Sequence, residues 1–128
     1  MAVLLDTHAF LWWTQNDSRL SKPARDTIVD EDCWLSLASC WELAIKVSLN
    51  RIVFDRPLNQ FVREQMLANG ISLLSIQFRH VMRVARFPFD HRDPFDRLLA
   101  AQALEERFSL VSADPVFDAY GVARIWNE

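Results

Sequence analysis

Glycine is scarce in this chain, with only Gly70 and Gly121 among 128 residues. A Walker loop and a G-x-G-x-x-G turn each need several glycines, so neither phosphate cradle can be built here. Cysteine is equally scarce. Cys33 and Cys40 form no C-x-x-C motif and have no second pair to complete a four-ligand zinc site, so they read as buried reduced thiols. Long apolar runs are missing too. Asp6 and His8 break the run after Met1, and no stretch of about 18 apolar residues exists. Neither a leader nor a membrane span is expected, and the reading is a cytoplasmic protein.

What is present is apolar bulk: 51% of residues are hydrophobic, which excludes disorder. A chain of this length hides roughly two thirds of its unfolded surface, enough for one domain spanning residues 1–128. The formal net charge of −3 conceals an asymmetry. Residues 1–45 sum to −4, residues 46–97 to +4 and residues 98–128 to −3. Twelve of the fourteen basic residues are arginine, whose planar fork suits phosphate or carboxylate oxygens. A local polyanion contact is compatible with that, and so is pairing with acidic neighbours.

Strand and helix signals alternate along the chain. Residues 2–5 read as a strand buried on both faces and ending at Asp6, with a helix following through Ala9 to Trp13. Ser21-Lys22-Pro23 opens a helix to about Asp30, and Trp34 to Leu37 is a short strand. Ser39-Cys40-Trp41-Glu42 has the form of a capping box, which opens a helix that stops near Asn50. Pro57 starts a helix that ends at Asn69-Gly70, and Ile71 to Ile76 is a third strand. In the next helix Phe78, Val81, Met82 and Ala85 share one face, with Arg79, Arg83 and Arg86 as a basic stripe opposite. Asp93-Pro94 caps a helix in which Phe95, Leu98, Leu99 and Ala103 pack inward. Residues 109–112 and 122–126 complete five strands. The alternation predicts an α/β fold, a three-layer α/β/α sandwich around a mainly parallel sheet.

In such a sheet, sites form beyond the carboxyl ends of the strands. Asp6, Glu42, Asp96 and Asp114 all fall at those junctions. Each also has a plain structural role open to it. Glu42 fits the third position of the capping box or an i,i+4 pair with Lys46. Asp93 and Asp114 fit caps before proline, and Asp96 fits a helix dipole. Asp6 is hardest to explain away, because an acid after a buried strand is costly unless paired, protonated or metal-bound. Four converging carboxylates would repel one another unless a divalent cation neutralised them, and an all-oxygen set suits a hard ion such as Mg²⁺ or Mn²⁺.

Four blocks in order carry a family likeness. They are Leu4-Leu5-Asp6-Thr7-His8, Ser39-Cys40-Trp41-Glu42-Leu43-Ala44-Ile45-Lys46, His91-Arg92-Asp93-Pro94-Phe95-Asp96-Arg97-Leu98-Leu99-Ala100-Ala101-Gln102-Ala103, and Ser112-Ala113-Asp114. Together they resemble the PIN-domain nucleases, and among these the VapC-type toxins of bacterial toxin–antitoxin pairs. The resemblance implies a metal-dependent endoribonuclease with Mg²⁺ or Mn²⁺ as cofactor. It places Asp6, Glu42, Asp96 and Asp114 in the catalytic, metal-holding set, with Ser112 and, more weakly, Asp93 in support. It further implies a VapB-type antitoxin as partner, a toxin homodimer, and an antitoxin tail laid across the acidic groove. One departure is that Leu49-Asn50 stands where relatives commonly show Leu-Gly. Asn tolerates the left-handed conformation, so the turn survives.

For such an enzyme a water activated at the metal attacks phosphorus, with Glu42 or Asp114 aiding deprotonation, and the products carry 5′-phosphate and 3′-hydroxyl ends. Arg79, Arg83, Arg86, Arg92 and Arg97 are the candidates to hold the RNA backbone. His8 and His91 read as structural or substrate-touching. The five tryptophans read mainly as core and partner surface, with base stacking as the alternative. Two rival functions stand beside this one. A metal-free RNA- or partner-binding module would use every acid as a cap. A phosphatase of the haloacid-dehalogenase type would want a second Asp where His8 stands.

Overall fold

A computed structural model describes residues 1–87 and 93–127. The elements follow in the order β1 (Ala2–Leu5), α1 (Thr7–Thr14), α2 (Lys22–Asp30), β2 (Asp32–Ser36), α3 (Leu37–Ser48), α4 (Leu58–Asn69), β3 (Ser72–Leu74), α5 (Phe78–Val84), α6 (Pro94–Glu106), β4 (Ser109–Val111), a 3₁₀ segment (Pro115–Tyr120) and β5 (Arg124–Ile125). All five strands pair in parallel in the order β3-β2-β1-β4-β5. The α/β sandwich expected from the alternation is therefore the one found.

The period of two along each strand sends alternate side chains to opposite faces. Val3 and Leu5 of β1 and Cys33 and Leu35 of β2 point to one face, where Phe10, Ile28, Leu43 and Phe61 of the first four helices cover them. Leu4 and Leu110 point to the other, under Leu99, Ala100 and Ala103 of α6 and Phe117 of the 3₁₀ segment. With both faces covered, the strands can be short and the central β1 wholly apolar.

Two local expectations need correction. The helix after β2 opens at Leu37 rather than at a Ser39 box, because the Ser36 hydroxyl already caps it by accepting from the Ala38 N–H at 3.0 Å. Glu42 therefore lies in the second turn and caps nothing. The second correction concerns α5, whose apolar residues face outward. Phe78 is 80% exposed, and Val81 and Met82 are also exposed. The buried residue of α5 is His80, held by a polar contact with α6 described below. The expected turn at Asn50 is present, with φ at 55°.

Candidate active site

The order of the strands locates the site. β1 is central, its chain continues to β2 on one side, and its other neighbour β4 arrives later, so the crevice at the carboxyl ends of β1 and β4 is a switch point. Leu5 is in register with Val111, which puts Asp6 beside Ser112 just past the strand ends. The Asp6 N–H donates to Val111 O at 3.1 Å, so the acid is fixed by the ladder itself. α6 precedes β4 and must run back along the sheet, so its first turn, with Asp96, opens at the same end.

Asp6, Glu42, Asp93, Asp96 and Asp114 all line one cavity of about 200 Å³, together with Thr7, His8 and Lys46. Five carboxylates from four segments thus line one cavity, Asp93 and Asp96 both coming from the start of α6. The caps expected at Asp93 and Asp114 are observed, the one expected at Glu42 is not, and Asp6 caps a helix as well. Asp6 accepts from the Ala9 N–H at 2.7 Å and caps α1. Asp93 accepts from the N–H groups of Phe95 and Asp96 at 2.9 and 3.3 Å. Asp114 accepts from the Val116 N–H at 3.0 Å. Capping and convergence therefore hold for the same residues, since a carboxylate that caps with one oxygen still faces the cavity.

Asp6 is 7% exposed. Burial pushes its carboxyl above the ordinary carboxylate range, the Ser112 hydroxyl and the Ala9 amide pull it back, and the nearby charge of Glu42 adds to the rise. Ser112, expected as a support, is wholly buried, and its Oγ also accepts from the Asp114 N–H at 3.0 Å. One hydroxyl thus ties the first and last acids together. Glu42 is held by two residues that sequence reasoning did not place in the site. The Thr7 hydroxyl donates to Oε1 at 2.6 Å, and Lys46 Nζ lies 3.1 Å from Oε2. The i,i+4 spacing signalled the lysine, while nothing in sequence signalled Thr7.

The expected arginines are distributed differently. Arg79 binds Glu106 of α6 at 2.5 and 2.9 Å, Arg83 pairs with Glu105, and Arg86 lies 3.7 Å from the same Glu105. The guanidinium of Arg97 donates to Val84 O and lies over the Phe87 ring. His91 and Arg92 fall outside the described residues.

The donors fit a hard divalent cation by their chemistry, being carboxylate and hydroxyl oxygens around one cavity. Among the described residues no three His, Cys, Asp or Glu side chains already stand close enough to hold an ion.

Comparison with known proteins agrees with this fold. The PIN domain family matches residues 3–123. The chain is 32% identical over 114 residues to Ribonuclease VapC22 of Mycobacterium tuberculosis, covering 88% of this chain and 86% of that protein. In shape it is similar to a chain of VapBC2 from Rickettsia felis, solved bound to a DNA fragment from their promoter, with a TM-score of 0.71 at 14% identity over 98% of this chain and 99% of that one. It is also similar to a chain of FitAcB from Neisseria gonorrhoeae, with a TM-score of 0.67 at 19% identity over 97% and 96% of the two chains. At such identities the structural likenesses establish the fold.

Proposed function

The chain belongs to the PIN-domain family, and from that premise we propose that it is the endoribonuclease toxin of a toxin–antitoxin pair, hydrolysing RNA with Asp6, Glu42, Asp96 and Asp114. The observation that carries the reading is the meeting of five carboxylates in one cavity at the switch point of the sheet. Family ribonucleases of this kind depend on a metal ion, and Mg²⁺ or Mn²⁺ is the ion this oxygen-only set suits.

Asp6, Asp96, Asp114 and Glu42 would hold the ion, which when bound supplies a Lewis acid for the phosphoryl oxygen and lowers the pKa of water. The chain's own residues do the rest. Ser112 and the Ala9 amide orient Asp6. Thr7 and Lys46 fix the Glu42 carboxylate, leaving a positive charge beside an otherwise acidic cavity. Glu42 or Asp114 takes the proton of the attacking water, and Asp93 supports by fixing the first turn of α6, on which Asp96 sits.

The partners are RNA as substrate and a VapB-type antitoxin, with a homodimer of the toxin. The exposed apolar face of α5 supplies a surface for the second copy. Among the described residues no helix is long and apolar enough to cross a membrane, and the location proposed for a toxin of this family is the cytoplasm.

The test is incubation of cellular RNA with the antitoxin-free protein in Mg²⁺, Mn²⁺ or chelator, beside Asp96→Asn. Metal-dependent cleavage, lost by at least about a hundred-fold in the variant, is expected, since such groups act as a unit. The cut ends should carry 5′-phosphate and 3′-hydroxyl. Ends with 2′,3′-cyclic phosphate would mean attack by the ribose hydroxyl and would overturn the mechanism.

A further inference from the structure

Five carboxylates repel a polyanion, so the substrate strand needs cations close to the cavity. The arginine stripe of α5 does not supply them, because Arg79 and Arg83 are paired with Glu106 and Glu105, Arg86 lies 3.7 Å from the same Glu105, and none of the three lines the cavity. A different set does. A groove of about 460 Å³ shares His8 and Lys46 with the acidic cavity and continues past Trp12, Arg19 and Arg51. We propose that this groove is the track for the single-stranded RNA flanking the scissile phosphate, an inference that rests on the ribonuclease reading above.

Local structure places each member. Lys46 is near the end of α3, and the left-handed Asn50 turns the chain so that the Arg51 N–H donates to Lys46 O at 2.9 Å. The exposed Arg51 is thereby returned beside the cavity, and it forms no ion pair among the described residues. On the other wall, the rings of exposed His8 and half-buried Trp12 stack with centroids 5.6 Å apart at 29°. The Arg19 guanidinium lies 4.9 Å over the Trp12 ring and is held there by Asp17, at 2.7 Å. Because Asp17 offsets its charge, Arg19 contributes a flat face more than a net cation.

The combination is a stacking platform with the exposed Arg51 and the Glu42-paired Lys46 alongside, an arrangement of the kind that holds single strands without regard to sequence. A duplex offers no open base face to such a platform. The second groove leaving the cavity, of about 540 Å³, shares Lys46 and Arg51 but adds Glu42 and Asp93 and, among the described residues, no further cation. The phosphate chain is therefore assigned to the His8 side.

The experiment measures binding of a short fluorescein-labelled single-stranded RNA by anisotropy across a salt series, in Mg²⁺, on an Asp96→Asn background that stops cleavage. Arg51→Ala should lower the slope of log K against log salt by about 0.7, the value for one phosphate contact on a single strand. His8→Ala should weaken binding about five-fold or more with the slope nearly unchanged. The double variant of Arg79→Ala and Arg83→Ala should leave the slope alone. Both track changes are at exposed side chains, so the fold stays intact. A parent that cuts RNA while Arg51→Ala keeps the parent slope overturns the track alone, as would loss of antitoxin binding without loss of RNA binding. A parent that neither binds nor cuts RNA overturns the nuclease reading and the track with it.

Discussion

Asp6 performs two tasks with one carboxyl. It caps α1 through the Ala9 N–H, and it stands buried beside Ser112 and within the field of Glu42. Its folded-state pKa is raised, so the folded chain is favoured when the group is protonated. That contribution is complete below the unfolded pKa and is lost as pH rises through the folded value. At neutral pH the metal-free chain therefore bears the cost of the ionised acid, and a divalent cation offsets it. Asp6→Asn keeps a capping side chain and removes the charge, so its metal-free thermal midpoint should equal or exceed the parent's. It should also lose the rise in midpoint that Mn²⁺ gives the parent. Asp6→Ala should fall below Asp6→Asn by about 1 kcal/mol through the lost cap. Thermal denaturation with and without Mn²⁺ checks both, and a parent-sized Mn²⁺ shift in Asp6→Asn would remove Asp6 from the metal set. This residue was legible in sequence because an ionised side chain after a buried strand demands a reason. Thr7 was not, since its bond to Glu42 joins residues 35 apart and a threonine opening a helix is ordinary.

At the scale of elements, β1 was legible because it is an apolar run closed by Asp6, and the α4 terminus because Gly70 takes the left-handed conformation. The orientation of α5 was not, since periodicity identifies an apolar face without saying what that face meets. What decides it is a polar contact. His80 is wholly buried, its Nδ1 accepts from the Gln77 N–H at 2.9 Å, and its Nε2 is 3.4 Å from Glu106 Oε1. Gln102 of α6 lies beside the ring and accepts from the Ser36 hydroxyl at 2.5 Å, so α5, α6 and the cap of α3 share one chain of contacts. Burial holds the His80 pKa below the ordinary value, the Arg79 charge adds to that, and Glu106 and Glu105 oppose it. The lowered pKa gives stability that is present above the unfolded value, near 6.5, and is lost as pH falls below it. Protonation would also displace the Gln77 N–H from Nδ1. Unfolding midpoints should therefore drop from pH 7 toward pH 5, and His80→Asn, which keeps an acceptor without titrating there, should flatten that part of the profile. An unaltered profile would place the pH dependence elsewhere.

For the whole molecule, the uneven charge of the sequence is resolved by folding. The basic middle of the chain meets the acidic last third through the α5 to α6 pairs, so a stripe that looked available for a polyanion is mostly matched from within. That leaves the outer face of α5 apolar, and Phe78 is its most exposed residue. Phe78→Glu should reduce the mass seen by light scattering toward one copy while leaving the thermal midpoint within about 0.5 kcal/mol of the parent, as for a surface change. An unchanged mass would move the self-association surface away from α5. The acidic cavity also draws on residues as far apart as Asp6 and Asp114, joined through Ser112 at the end of β4. During synthesis on the ribosome the emerging chain has Asp6 and Glu42 long before it has β4 to set them against. The cavity is therefore put together only once β4 has been added to the chain, so its assembly is a late event of folding during synthesis.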